Sequence, residues 1–362
     1  MQAKNLCFYL SDHGFGHIAR NIPLIAEAVR RTNGFVYVVC GERHLEFAKA
    51  NLLEILSPEQ FSRIRYRAEH TDIGLILQQG TLLVDTAALT DACAQYLAEL
   101  PERAKQEAEW LRQQEIAAAL CDMPLWSISA CEQAGVPLLY VGNFTWTELY
   151  REFLPKHIWK AYAAEYRKIQ HGMLYALHNP EMLEFLPRAE LSETSLVARP
   201  FHPDEIRAIR ARHTCPIVFV ALGMSAQFTR PVSVEGVKAH FYVTEGVPLT
   251  GSNVTAIPYS TLHTQDYVAA ADCVITKAGW GTVAECQLAQ KPMALFARDS
   301  VLEDRTTIRK LEQKKLGIKV TYEQLTEMSG LLEQMKQITY PAVPEYHNAA
   351  AEIVSKLLTL TE

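Results

Sequence analysis

A chain of 362 residues is long for one hydrophobic core, so two domains are expected. Hydrophobic residues make up 49% and charged residues 21%, with Gly and Pro at 17 each, which excludes a disordered or low-complexity protein. The formal net charge of -6 lacks the basic excess of a nucleic-acid or membrane-surface protein, so an anionic ligand has to be met by a focused local site.

The eight cysteines contain no C-x-x-C pair, and several lie inside apolar runs, which reads as buried free thiols of a reducing compartment. The first strand begins almost at once, without the parts of a signal peptide, and no run of about 18 apolar residues marks a membrane span. The expected location is cytoplasmic, with no integral membrane segment, and the N-x-T matches at Asn143 and Asn253 are then not glycosylated.

In chain order, residues 5–11 (NLCFYLS) predict a buried parallel strand, and residues 17–31 a helix with Ile18, Ile22, Ile25, Ala26 and Val29 on one face. Between them stands Asp12-His13-Gly14-Phe15-Gly16-His17, and residues 35–40 (FVYVVC) supply the next strand of a βαβ unit. Gly14, Gly16 and Ala19 fit G-x-G-x-x-A, with Glu42 about twenty residues on, so binding of NAD or FAD is one reading of this turn. The histidines point elsewhere, because a pyrophosphate turn needs no imidazole. A helix N-terminus disfavours a cationic His17 and leaves it able to accept a proton, although a capping or packing histidine fits the same place.

Strands are predicted at 63–69 and 75–77, a long helical region over 87–113 interrupted by Pro101, and a buried strand over 116–121 that stops at Asp122. Ligands of an open α/β sheet lie beyond the carboxyl ends of its strands. Asp122 therefore either supports a His17 base in that crevice or caps the helix beginning near Leu125. A helix over 126–133 and a strand over 137–141 lead to Asn143, Thr145 and Trp146, an amide and aromatic cluster that suits a sugar ring or plain loop packing. With His13 these are the candidates for contact with a ligand on this side; a helix over 155–170 and a strand over 173–177 finish the half.

Residues 178–215, rich in Pro and charge, read as the interdomain connection. Strands at 217–222, 240–243, 254–257, 273–276, 292–296 and 318–320 alternate with helices at 263–271, 282–290, 303–315 and 323–336, a second βαβ series. The expected division is 1–190, 191–345, and a helix in 346–362 that packs on either domain. In the second domain Gly223 and Ser225 occupy a first turn suited to phosphate, and Ile257 and Pro258 end a strand where backbone groups can read a base.

The stretch CVITKAGWGTVAE, Cys273 to Glu285, runs from a strand through Lys277, Gly279 and Gly281 to a helix expected to begin at Thr282. Unpaired first-turn amides, the helix dipole and an ammonium make an anion site there, or else an ordinary βα turn. Glu285, one turn in, suits two sugar hydroxyls, and Asp299, Glu303 and Asp304 follow the next strand. No D-x-D or His/Cys pattern has metal-ligand spacing, so no metal is expected.

Two Rossmann-like doubly wound domains, with a His in the first turn of one and a glycine/acid turn late in the other, resemble the GT-B glycosyltransferases. Gly279, Trp280, Thr282 and Glu285 look like the donor box of that superfamily, with Lys277 where a histidine usually opens it. The segments SDHGFGH, HGFGHIAR, DMPLWSISACEQAGVP, NFTWTELY and DCVITKAGWGTVAECQLAQKP are similar to the glycosyltransferase-like N-terminal region of plant L-arabinokinases and its stand-alone bacterial relatives.

The resemblance implies two α/β domains facing across a cleft, with His17 and Asp122 at the positions that activate an acceptor hydroxyl. It implies Gly16, Gly223, Ser225, Lys277, Gly279, Gly281, Thr282 and Glu285 on the donor diphosphate and ribose, and Asp299, Glu303 and Asp304 on the donor sugar. The expected function is a metal-independent glycosyltransferase that uses a nucleotide-diphosphate sugar, UDP-sugar first, as co-substrate and no cofactor; its acceptor is a small molecule or glycan. A non-catalytic sugar-nucleotide-binding protein, an NDP-sugar epimerase and an NAD or FAD oxidoreductase are the alternatives.

Overall fold

A computed structural model describes residues 4–79, 83–222, 231–296, 298 and 301–362. The chain forms two compact units, one of residues 1–77, 84–197 and 348–362, the other of residues 78–83 and 198–347.

The strands of the first unit are β1 (Asn5–Leu10), β2 (Val36–Cys40), β3 (Ile64–Ala68), β4 (Ile116–Asp122), β5 (Leu138–Gly142), β6 (His171–Tyr175) and β7 (Glu190–Thr194). Its helices are α1 (Phe15–Arg31), α2 (Glu42–Ile55), α3 (Pro58–Phe61), α4 (Thr86–Gln113), α5 (Leu125–Ala134), α6 (Trp146–Tyr150) and α7 (Lys156–Tyr166). Among the described residues the strands make one parallel sheet in the order β3-β2-β1-β4-β5-β6-β7. Strand β1 is buried on both faces from Leu6 to Leu10, which is why it reads as an unbroken apolar run. The predicted stripe of α1, Ile18, Ile22, Ile25, Ala26 and Val29, is buried throughout, and each large aliphatic there contributes about 1.5–3 kcal/mol.

The second unit holds β8 (Ile217–Ala221), β9 (Val232–Ser233), β10 (His240–Thr244), β11 (Leu249–Thr250), β12 (Val254–Ile257), β13 (Cys273–Lys277), β14 (Met293–Phe296) and β15 (Gly317–Val320). With them are α8 (Pro203–Ala211), α9 (Thr264–Ala270), α10 (Trp280–Leu288), α11 (Leu302–Gln313), α12 (Tyr322–Thr326) and α13 (Met328–Met335). The main sheet is parallel in the order β12-β10-β8-β13-β14-β15. Val218, Val220, Phe241, Ile275, Leu325 and Met335 lie in its core.

The last helix, α14 (Ala350–Thr359), belongs to the first unit, where Ile353, Val354 and Leu357 are buried and Arg31 of α1 donates to Ala351 O and Ser355 Oγ. Pro101 does not interrupt α4. It lies on the exposed face, where water can serve the carbonyl that loses its partner, while Tyr96, Leu100 and Ala104 keep packing inside.

Residues 75–77 form no strand; Leu77 makes an isolated antiparallel bridge to Val84. The stretch 178–215 is not structureless, since it contains β7 and α8. Strand β7 (ELSET) is a polar edge strand and α8 buries only Ile209, so neither shows as an apolar run in the sequence. Seven cysteines are buried free thiols and Cys215 is exposed.

Candidate functional site

The order of the first sheet reverses between β1 and β4, the place where an open α/β sheet presents ligand-binding groups. Leu10 is in register with Asp122, and the Ser11 N–H donates to the Asp122 carbonyl at 2.9 Å. The chain then turns at Gly14, whose φ of 80° lies in the left-handed region that favours glycine, and enters α1. His17 sits in the first turn of that helix, above the end of β4.

His17 Nδ1 lies 2.9 Å from Asp122 Oδ1. Arg20 Nη2, a donor, lies 3.0 Å from the same nitrogen; in the tautomer that donates Nδ1–H to the carboxylate, which only accepts, Nε2 is the ring's acceptor. The carboxylate is also held by Arg20, from Nε to Oδ2 at 2.7 Å and from Nη2 to Oδ1 at 2.5 Å, and by Asn21 Nδ2 at 2.6 Å. Arg20 Nη1 then donates to Asn143 Oδ1 at 2.8 Å. Burial by itself pushes the Asp122 carboxyl up, but Arg20 and His17 outweigh it and hold the group well below the usual carboxylate range. Asp122 does not cap α5, which begins after Pro124 without a side-chain cap.

A second polar layer backs the loop. Asp72, fully enclosed, accepts from Ser11 Oγ at 3.0 Å and Trp146 Nε1 at 2.8 Å. Burial and the neighbouring Asp12 push its carboxyl up to about 8. His13 meets Trp146 edge to face at 5.5 Å, and a Cβ on Gly74 would come within 1.9 Å of His13 Nδ1.

The acceptor-side candidates therefore divide. His13 is partly exposed, whereas Asn143, Thr145 and Trp146 are buried in the wall. Thr145 caps α6 in a capping box with Glu148, and Trp146 stacks on Tyr150 at 5.2 Å, so its ring face is not offered to a sugar. Sequence reasoning missed Arg20, Asn21 and Asp72. Arg20 and Asn21 lie three and four residues after His17 on its own helix face, and that spacing was the available signal.

In the second unit the order reverses between β8 and β13. Gly223, Ser225 and Asp299 lie outside the described residues. Strand β13 ends at Lys277, and α10 begins at Trp280 rather than Thr282, with Gly279 as its N-cap at φ -65°. Glycine is therefore not demanded by the backbone at Gly279. A Cβ there would lie 3.4 Å from Lys277 Cε, so the lysine stem crosses the turn at contact distance.

The first-turn amides of α10 at Gly281 and Thr282 have no partner within the helix. Lys277 is largely enclosed and forms no ion pair among the described residues. Burial, then the neighbouring Arg298, depress its ammonium below the ordinary lysine range, against the pull of Asp304 and Glu303. Ile257 closes β12 as a buried residue, and Pro258 after it is exposed.

The acids expected on the sugar are differently placed. Asp304 is fully buried and gripped by Arg298, through the backbone N–H at 3.0 Å, Nε at 2.9 Å and Nη2 at 2.7 Å, so it does not face outward. Glu303 is half-buried in the first turn of α11. Glu285 is 7% exposed and accepts from Arg199 Nη2 at 3.0 Å; Arg199 also donates to Leu262 O and Thr264 Oγ1. A metal-type grouping that spacing did not reveal, His202, His263 and Asp266, is brought together by α8 and α9. No described helix is long and apolar enough to cross a membrane.

Residues 225–360 match the family model of the Glycosyltransferase family 28 C-terminal domain. An L-arabinokinase of Arabidopsis thaliana is 25% identical over 337 residues, 88% of this chain; the chain spans 31% of that relative's length. Among solved structures, Arabidopsis thaliana UGT89C1 complexed with UDP-L-rhamnose is similar at 11% identity with a TM-score of 0.67, over 100% of both chains. Medicago truncatula UGT71G1 complexed with UDP-glucose is similar at 12% identity with a TM-score of 0.60, over 100% of this chain and 99% of that one. The chain has the GT-B fold of these structures.

Proposed function

We propose that this GT-B chain is a glycosyltransferase that moves a sugar from a nucleotide-diphosphate donor, UDP-sugar first, to the hydroxyl of a small molecule or glycan, in the cytoplasm. The observation that carries the reading is Lys277, a largely enclosed ammonium that forms no ion pair among the described residues, at the second sheet's switch point beside the first-turn amides of Gly281 and Thr282. Such a place is costly to build unless an anion completes it.

In the proposed step His17 Nε2 takes the proton of the acceptor hydroxyl, whose oxygen bonds to the anomeric carbon. The bond from that carbon to the donor phosphate breaks, and its electron pair leaves with the diphosphate. Asp122 fixes the imidazole tautomer, while Lys277 and the amides at Gly281 and Thr282 balance the charge on the leaving group. Glu285 is assigned to the ribose, Ile257 and Pro258 to the base, and Glu303 to the donor sugar.

A thermal-shift screen of NAD, FAD, UDP, GDP and TDP tests the ligand class: UDP is expected to raise the melting temperature, and a rise with NAD or FAD alone would overturn the reading. A panel of UDP-sugars with acceptors then tests turnover by release of UDP. A second reading is favoured by one observation: Glu285 and Asp304 are already paired with arginines. A sugar-nucleotide sensor would bind the donor and release nothing, and sustained UDP release excludes it.

A further inference from the structure

We infer that His202, His263 and Asp266 form a binding site for a divalent cation of the zinc class, where α8 and α9 begin. The inference rests on none of the transfer chemistry proposed above. His202 is the residue before α8 and His263 the residue before α9, and the two helices pack together. Each of the three side chains presents a ligand atom, and these atoms all lie within 4.8 Å of one another. Bonds of about 2.0–2.2 Å to a common ion place ligands roughly 3–4 Å apart, so a small inward movement suffices.

Asp266 is 1% exposed and already oriented: Oδ1 accepts from the His202 backbone N–H at 2.9 Å, and Oδ2 lies 2.8 Å from His202 Nδ1. The imidazoles of His202 and His263 meet edge to face at 4.6 Å, and about a third of the His202 side chain is exposed, which leaves an entry path. Two imidazoles and one carboxylate select zinc, cobalt or nickel over magnesium or calcium, with water in the open positions. The first-turn amides of the two helices oppose a cation, and the carboxylates of Asp204 and Glu205 in the first turn of α8 offset this.

A bound ion would tie the segment that enters the second unit to the loop after β12. Arg199, from that same segment, already holds Leu262 O, Thr264 Oγ1 and Glu285. The cation thus stiffens the framework behind Glu285.

The test is calorimetric titration of zinc into the full chain after treatment with a chelator, carried in a Cys215→Ser background because that thiol is exposed. One equivalent is expected, with loss of that step in His202→Ala/His263→Ala and in the milder His263→Gln. Asp266→Asn should weaken it by about 10–100-fold, whether the carboxylate ligates or acts through His202. His213→Ala/His240→Ala, which removes another close histidine pair, should leave it unchanged. Cobalt on the unmutated chain should give the visible bands of a four- or five-coordinate ion without thiolate charge transfer. No stoichiometric uptake, or uptake kept by both His263 variants, would overturn the site and leave only adventitious binding.

Discussion

At the switch point of the first sheet the Asp122 carboxylate is met by Arg20, Asn21 and His17, whereas at that of the second the Lys277 ammonium has no ion pair among the described residues. The backbones are alike, since each is a parallel strand, a short turn and a helix N-terminus. The charges are arranged oppositely. A charge-balanced network can hold a histidine in one tautomer and receive one proton from a neutral hydroxyl. An unbalanced cation beside open amides is suited to a ligand that brings its own negative charge. The difference is what the proposed function uses when it gives the proton to His17 and the phosphate to Lys277.

Removing Asp122 should give the largest effect. Asp122→Ala leaves Arg20 buried without its counter-charge and should cost about 3–5 kcal/mol of stability, read by denaturant unfolding. His17→Ala should lower turnover by about 10²-fold or more, with stability nearly kept, read as UDP release.

Lys277→Met should weaken UDP binding by about tenfold or more, since a charge-assisted hydrogen bond contributes about 1.5–3 kcal/mol. It should leave the unliganded chain as stable or more so, because a desolvated ammonium disappears. That sign, opposite to Asp122→Ala, is what the contrast between the two sites predicts.

The last prediction concerns pH. Burial pushes the Glu148 carboxyl up to about 8 from an ordinary 4.5. Between those values the folded state keeps a proton that the unfolded chain gives up, so stability falls as pH rises through this window. Glu148→Gln should make the fall between pH ~5 and ~8 in denaturant midpoints shallower, leaving the part that comes from Asp72, whose carboxyl is pushed up to about 8 as well. Asp122 behaves oppositely. Its depressed carboxyl contributes stability above the ordinary carboxylate range, which is lost only as pH falls well below that range.

The parallel sheets and the helix stripe of α1 were legible because both rest on local hydrophobic period, as in NLCFYLS and at Ile18, Ile22, Ile25 and Val29. The polar edge strand β7 and the largely polar α8, which buries only Ile209, were not, because neither offers a run of apolar residues. His17 and Asp122 could be suggested as partners because both lie at carboxyl ends of strands in one open α/β sheet; the sheet order, which sets β1 beside β4, brings them together. Asp72 could not, since its contacts to Ser11 and Trp146 join loops far apart in sequence. The fate of Trp146 and Asp304 was equally hidden: nothing in their local pattern tells a side chain offered to a ligand from one spent on Asp72 or Arg298.

The most direct measurement takes UDP affinity and UDP-sugar turnover together on the unmutated chain, His17→Ala and Lys277→Met. The account predicts that His17→Ala binds UDP as the unmutated chain does while turnover falls by about 10²-fold, and that Lys277→Met loses affinity by about tenfold or more. Unchanged affinity in Lys277→Met, or full turnover in His17→Ala, would contradict it.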